Sequence, residues 1–307
     1  MYNFNHLYYF YITAKAGRVA SAASHLKISQ PSLSSQLRVL EEALDLKLFK
    51  KKGRTNELTE AGSFIYGYCR QMFELSEQMR EGASNRLSAV MRRMHIGVSD
   101  EIDRSFVVEI ISQFLKNHGL AQRPSVVVTS GTHSKLMNML RFRELDAVIS
   151  ELAPTDLDFH LLSRAEVPVA LVCSAKWKTR TSTSKLRPAE AIRELVGRED
   201  AEWVMPPERF RLRSDTDSFF ANNALKGRVV FESDVMESII RSVIDEVGLA
   251  FLPVLYIVRE MKEKSLQVLG PKGGYWKYRL WLTCHKQNRD ELVMTSLARS
   301  FTSVCAP

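Results

Sequence analysis

Cysteine is scarce and scattered in this chain. The four cysteines, Cys69, Cys173, Cys284 and Cys305, lie far apart and form no CxxC pair. That excludes a disulfide framework and a thiolate zinc site, and it fits a reducing compartment. Long apolar runs are missing too: the longest, residues 248–258, is broken by Pro253 and is too short to span a bilayer. Residues 1–11 carry no basic segment ahead of their apolar residues, so they do not read as a secretion signal. A cytoplasmic protein without a membrane partner is the expectation. Signatures of catalysis are absent as well, with no GxSxG elbow, no phosphate-binding loop, no GxGxxG and no HExxH. An enzyme would have to rest on Cys173 with a distant histidine, or on a serine. Cys173 ends the apolar run 169–173, where a structural thiol is the ordinary outcome.

One stretch lacks negative charge altogether. From Ala20 to Leu40 there is no Asp or Glu, and the segment reads as two helices joined by a tight turn. Ala22 and Ala23, followed by Leu26, give the first helix a face that another helix can approach closely. Residues 27–29 form the connector. Ser29 stands where an N-cap belongs, and Pro31 falls in the first helical turn, where its missing N–H costs little. Leu33, Leu37, Leu40 and Leu44 then recur at helical spacing. Gln30, Ser32, Ser35, Gln36 and Arg38 fall on the opposite face. Short or fork-ended hydrogen-bonding groups of this kind can lie against base-pair edges and phosphates without electrostatic penalty. The alternative is a helical hairpin with a solvated Ser/Gln face. Charge favours the first reading: the net charge is +8, and residues 1–58 hold nine Lys/Arg against four acids. More than half of the excess therefore sits in about a fifth of the chain, which points to a polyanionic partner.

Leu7, Phe10, Tyr11 and Ala14 predict a first helix that ends at Gly17 and packs across this pair. After Leu44, residues 46–49 alternate like a strand. Lys50, Lys51, Lys52, Gly53 and Arg54 make a basic turn, and residues 55–58 return as a partner strand. The result is a winged helix-turn-helix. Its wing is either a solvated loop or a phosphate or minor-groove contact, and its place after the recognition helix favours the contact. A long helix opens at 59–62. Along it Ala61, Ile65, Tyr68, Met72, Leu75 and Met79 recur every three or four residues as an a/d heptad seam. The neighbouring unit is too small to cover so long a stripe, so a helix–helix dimer seam is expected, and a dimer suits DNA with paired half-sites.

The heptad lapses around 82–88, a hinge. Beyond it, strands are expected at 94–98, 125–129, 147–149, 167–173, 202–205, 229–231, 248–252 and 277–284. Helices are expected at 106–115, 134–143, 188–196, 216–225, 235–244 and 291–301. This alternation predicts parallel sheets flanked by helices, and its length implies two α/β subdomains with a cleft between them. The division is then a winged helix-turn-helix DNA-binding domain over 1–58 and a dimerising linker helix with hinge over 59–89. An effector-binding region follows over 90–307, with subdomain I at 90–163 and 266–307 and subdomain II at 164–265.

The residues that carry a resemblance are Ala22 and Ala23 with Leu26, the run 29–34, Leu37 with Leu40 and Glu41, Leu46 with Leu48 and Phe49, and the run 58–62. In this order and spacing the chain resembles the LysR-type transcriptional regulators. Ser130, Gly131 and Thr132, Leu145 and Asp146, and the run 248–253 extend the likeness more loosely. Two positions depart from the family: Arg143 stands where Gly is usual before Leu-Asp, and Lys51 or Lys52 replaces the wing's usual Arg. Residues 2–10, the wing 47–54, and Tyr66, Met72, Phe73, Leu75, Ser76 and Met79 are similar to a subgroup that activates a sodium/proton antiporter. The resemblance implies a winged helix-turn-helix, a dimerising linker helix and an α/β effector domain like a periplasmic binding protein. It also implies a homodimer or homotetramer, RNA polymerase as a partner if the chain is an activator, no enzymatic activity and no cofactor. Gln30, Pro31, Ser32, Ser34, Ser35 and Arg38 would address the major groove, and Lys51, Lys52 and Arg54 the backbone or minor groove.

Ligands of doubly wound sheets bind beyond the carboxyl ends of strands. Three such ends are Ser99-Asp100, Ser130-Gly131-Thr132-His133 and Ser150-Glu151. Thr132 and His133 lead into a helix, which suits a carboxylate or other anion. Asp100 among hydroxyls suits a cation or an amine-bearing ligand, and the antiporter-regulator likeness favours sodium or lithium. Each of these residues also serves as a local cap, and a small-molecule-binding protein whose N-terminal helices only assemble it is the remaining alternative.

Overall fold

The structure is a computed structural model and describes residues 3–52, 55–84, 93–119, 123–177, 201–289 and 291–306. It forms two compact units. The first joins Met1–Ile96 with His118–Val128 and Met137–Asp146, and the second joins Gly97–Asn117 with Thr129–Leu136 and Ala147–Pro307.

The first unit opens with α1 (Phe4–Ala16), α2 (Val19–Leu26) and α3 (Gln30–Leu44). The Asn3 side chain caps α1, and Gly17 ends it with φ 67°, a left-handed turn that favours glycine. Ser29 caps α3 by accepting from the Ser32 N–H at 3.2 Å, with Pro31 in the first turn. Leu33, Leu37 and Leu40 are buried against Phe10, Ala22 and Ala23, and the two alanines let the helices close together as expected.

The wing pairs β1 (Phe49–Lys52) with β2 (Thr55–Leu58) antiparallel, from Phe49 opposite Leu58 to Lys52 opposite Thr55. The expected strand 46–49 therefore shifts. The Glu41 carboxylate accepts the N–H groups of Leu48 at 2.8 Å and Phe49 at 3.4 Å. A side chain rather than a ladder holds the backbone there, and Lys50 to Lys52 lie in the strand instead of a turn. Gly53 and Arg54 lie outside the described residues. The Thr59 hydroxyl accepts from the Gly62 N–H and donates to the Lys47 carbonyl. It thus starts α4 (Glu60–Ser84) at the expected place. Gly62 is required there because a Cβ would meet the Leu48 carbonyl.

α4 divides its expected seam. Ile65 and Met72, with Tyr66 and Phe73 and the buried Cys69, pack on the helix-turn-helix core. Ala61 is half-buried, while Tyr68, Leu75 and Met79 are exposed together with Phe64. Further along, the buried Arg70 donates to the Arg143 carbonyl at 2.7 Å and to Glu74 at 2.9 Å. Glu74 also meets His95 Nε2 at 3.0 Å. Burial works to raise the Glu74 pKa, but the His95 hydrogen bond and the Arg70 charge outweigh it and hold the carboxyl below its ordinary range. The expected hinge lies largely outside the described residues.

The α/β region runs β3 (Arg93–Ser99), α5 (Arg104–Lys116), β4 (Ser125–Gly131), α6 (His133–Arg141), β5 (Ala147–Ser150), β6 (Phe159–Ser174), β7 (Glu202–Met205), α7 (Arg211–Asn222), β8 (Arg228–Glu232), α8 (Met236–Ile244), β9 (Ala250–Pro253), α9 (Val258–Lys262), β10 (Leu266–Leu269), β11 (Trp276–His285) and α10 (Leu292–Cys305). The expected helix 188–196 lies outside the described residues. β10, β6, β11, β5, β3 and β4 follow one another in a sheet, with β9 also paired to β6.

This sheet is mixed, which corrects the expectation of parallel sheets. β11 runs antiparallel to both β5 and β6, and β9 and β10 run antiparallel to β6. Residues 151–158 between β5 and β6 hold no helix, whereas direct parallel neighbours need a long crossover. β11 fills the place between them. β6 is also longer than expected: its first half pairs with β11, and its last residues, from Leu171 on, pair with β10. β7 and β8 pair in parallel, tied to Leu249 through Trp203. α7 starts before its expected position because Arg211–Asp215 and Arg213–Asp217 ion pairs support its first turns. It stops before 225, where Ala224 turns left-handed at φ 50°.

Candidate functional site

In the first unit the residues expected to meet DNA fall on the outer face of α3. Gln30, Pro31, Ser32, Ser34, Ser35 and Arg38 are all exposed, and Gln36 is half-buried. The face exists because Leu33, Leu37 and Leu40 turn inward. Its N-terminal end presents hydroxyls and amides with no carboxylate, and the first acid along the helix, Glu41, is turned toward the wing. Burial works to raise the Glu41 pKa, but hydrogen bonds from Lys47 and from the Leu48 and Phe49 N–H groups hold it below its ordinary range. Glu41 therefore stays ionised and paired to Lys47 at 2.7 Å. Lys50 and Lys51 are exposed on β1. The Lys52 side chain and Arg54 lie outside the described residues, so of the three expected wing contacts only the Lys51 side chain is described.

In the second unit two adjoining grooves share His133, Glu151 and Leu152. The smaller, ≈ 560 Å³, is lined by Ser99, Asp100, Glu101 and Arg104 at the end of β3, by Thr132 to Ser134 at the start of α6, and by Arg209, Phe210, Asp234 and Val235. The larger, ≈ 860 Å³, runs over β11 with Trp276, Tyr278 and Trp281, and under α7 with Arg211, Asp215 and Phe219. Both volumes suit a small molecule. Of the seven residues expected here, Ser99, Asp100, Thr132 and His133 line the smaller groove. Ser130, Gly131 and Ser150 line neither. The Gly131 carbonyl instead accepts from the Asp100 N–H at 3.0 Å, and the buried Ser150 hydroxyl meets His133 Nδ1 at 2.8 Å.

Acidity dominates the junction. Glu101 accepts from the Arg211 N–H at 2.6 Å and from the Tyr278 hydroxyl at 3.4 Å. Burial, and then the Glu151 charge, push its carboxyl up to about 7. Burial likewise pushes Asp103, the cap of α5, up to about 6. Burial lowers the His133 pKa, with Glu151 opposing. Glu101 and Asp103 bind their protons more tightly folded than unfolded. Their contribution to stability is therefore fully present below the ordinary values of 4.5 and 3.8 and is lost as pH rises through about 7 and about 6. Urea unfolding from about pH 5 to about pH 8 should show stability falling along that range, and Glu101→Gln should flatten the upper part of the fall. A slope unchanged in Glu101→Gln would show that Glu101 titrates normally.

Cys173 does not open an enzymatic alternative. Its thiol is buried in β6, and burial pushes it up to about 12, away from an activated nucleophile. Among the described residues no helix is long and apolar enough to cross a membrane.

Comparison with known proteins decides the family. Residues 4–63 match the bacterial regulatory helix-turn-helix protein, lysR family. Residues 88–306 match the LysR substrate binding domain. The chain belongs to the LysR family. Its members are transcriptional regulators, not enzymes, and they bind DNA and small-molecule effectors. This LysR-type chain is 33% identical over 151 residues to the transcriptional activator protein NhaR of Escherichia coli. That match covers 48% of each chain, so it spans about half the length of NhaR. Similarity to the RuBisCO operon transcriptional regulator of Allochromatium vinosum is 22% over 281 residues, covering 91% of this chain and 88% of the other. A solved full-length OxyR from Pseudomonas aeruginosa has the same fold, with TM-score 0.64 and 20% identity over 98% of this chain and 95% of that one.

Sequence reasoning about this LysR-type chain missed Glu101, Arg104 and Ser134 at the groove, and the wall formed by Arg209, Phe210, Asp234 and Val235. Glu101 and Ser134 follow directly on residues that were read as strand ends, and that adjacency was the available signal; Arg104 opens the next helix. The wall comes from residues in a later part of the chain, which pattern alone does not bring together.

Proposed function

We propose that this LysR-type regulator binds promoter DNA as a homodimer or a pair of dimers. The α3 face of each protomer reads a major-groove half-site, and the wing, through Lys51, Lys52 and Arg54, lies on the backbone or minor groove. The observation that carries this reading is the exposed, carboxylate-free face from Gln30 to Arg38, backed by the buried leucines of α3. Exposed Phe64, Tyr68, Leu75 and Met79 on α4 support dimerisation through the linker helix. The grooves around Glu151 would hold a small effector that alters DNA affinity. The layout is then a DNA-binding domain over 1–58, a linker over 59–89 and an effector domain over 90–307, acting in the cytoplasm. Similarity to NhaR, a transcriptional activator, supports activation through RNA polymerase.

Fluorescence anisotropy on the chain's own upstream DNA, against a scrambled duplex and at two salt concentrations, tests this. Tight, sequence-selective binding that weakens steeply with salt is expected. Equal binding to both duplexes would leave only a basic protein that favours polyanions. A sodium- or lithium-responsive reading rests on residues 2–79, which include none of the groove residues. Exchanging potassium for sodium at constant ionic strength in the same assay tests it: a shift supports it, and no shift removes it.

A further inference from the structure

Glu151 is a buried acid with an unpartnered carboxylate oxygen among the described residues. It follows β5 and is 6% exposed. Its Oε2 is buried without a hydrogen-bond partner among the described residues. The residue lines both grooves. A buried charge left unpaired is costly, and so is a buried acceptor left without a donor. The neighbours do not relieve Glu151. Glu101 and Asp100 add acid to the smaller groove. The neighbouring Ser150 hydroxyl is held by His133 and Leu152. Of the cations on these walls, Arg209 is paired to Asp234 at 2.7 Å, Arg211 to Asp215 at 2.9 Å and Arg279 to Glu166 at 3.4 Å, Lys277 donates to the Gly273 carbonyl at 3.1 Å, and Arg104 is exposed.

We propose that these grooves take an organic cation, a primary ammonium or guanidinium group, with the Glu151 carboxylate as its counter-ion. The proposal rests on the reading of the grooves as the effector site and names the ligand's chemistry. An ammonium or guanidinium brings N–H donors and positive charge together, which is what the orphan Oε2 lacks. The lining of the larger groove includes the half-buried Trp276 and Trp281, residues whose rings can hold a cation or its apolar body. A bare metal ion fits less well. Among the described residues no three His, Cys, Asp or Glu side chains are grouped to hold one, and hard cations gather several oxygen ligands. A carboxylate ligand would meet Asp100, Glu101 and Glu151 as like charges.

The test titrates the full chain with agmatine, a small molecule with an amine and a guanidinium, by calorimetry. Succinate and sodium chloride are the controls at constant ionic strength. Agmatine is expected to bind and to raise the melting temperature, with neither control doing so. Glu151→Gln should lower agmatine affinity at least tenfold. Without agmatine that variant should melt at the same temperature as the parent or higher, since the amide removes an uncompensated buried charge. Glu151→Asp should keep measurable binding. No agmatine binding, binding unchanged in Glu151→Gln, or a preference for succinate or sodium would overturn the proposal. DNA affinity is read in parallel. Glu151-dependent agmatine binding that leaves DNA affinity unchanged upholds the cation site and overturns the effector reading. A response of DNA affinity to succinate or sodium alone does the reverse.

Discussion

Replacing Arg38 by alanine is expected to lower affinity for the chain's own upstream DNA by about tenfold to a hundredfold, the loss of roughly 1–3 kcal/mol that one fork-ended base contact supplies. Affinity for a scrambled duplex should change little. Arg38 stands on the exposed face of α3, and the helix is held from behind by Leu33, Leu37 and Leu40, so the substitution leaves the fold intact. Lys51→Ala gives the contrast. It removes a charge from β1 of the wing, so both duplexes should bind more weakly and the salt slope should fall by about one. Anisotropy titrations at several salt concentrations separate the two behaviours. An Arg38→Ala protein with unchanged operator affinity would mean that another surface reads the DNA.

The second large effect is expected from Leu75→Glu combined with Met79→Glu. These side chains are 66% and 71% exposed on α4, beyond the part of the helix that Ile65, Cys69 and Met72 tie to the core. Charge there should leave the protomer folded and abolish pairing through the helix, which sedimentation would report as a monomer. Binding to two half-sites loses the gain of linkage, a factor of about 10²–10⁴, so affinity for a paired site should drop by about that much. A dimer that persists in the double variant would place the protomer interface elsewhere.

The helical part of the first unit was legible because its signals are local. Gly17 ends α1, Ser29 and Pro31 start α3, and three leucines at helical spacing turn inward. The wing was off by a few residues because Glu41, a side chain on the preceding helix, takes the Leu48 and Phe49 N–H groups. Nothing in residues 46–49 announces that. The seam of α4 was read as one stripe, yet spacing alone cannot say which residues meet their own domain. Ile65 and Met72 pack on the helix-turn-helix core, Tyr68 carries the Arg143 guanidinium over its ring at 5.1 Å, and Leu75 and Met79 are exposed. In the sheet, local pattern found most strands but not their directions. β11 lies between β5 and β6 only because a distant segment returns there. β10 was missed because its alternation is short and mixed. At the groove, strand ends gave Ser99, Asp100, Thr132 and His133. Burial decided the chemistry of Glu151, and the burial of one acid is not written in its neighbours.

Hydroxyl-radical footprinting of the full chain on its own upstream DNA tests the central claim most directly. Two protected half-sites on one face of the duplex, separated by whole helical turns and reduced to weak single protection in Leu75→Glu with Met79→Glu, are expected for paired α3 helices in successive major grooves. Uniform protection along the duplex, or protection unaffected by both Arg38→Ala and the linker variant, would contradict the account.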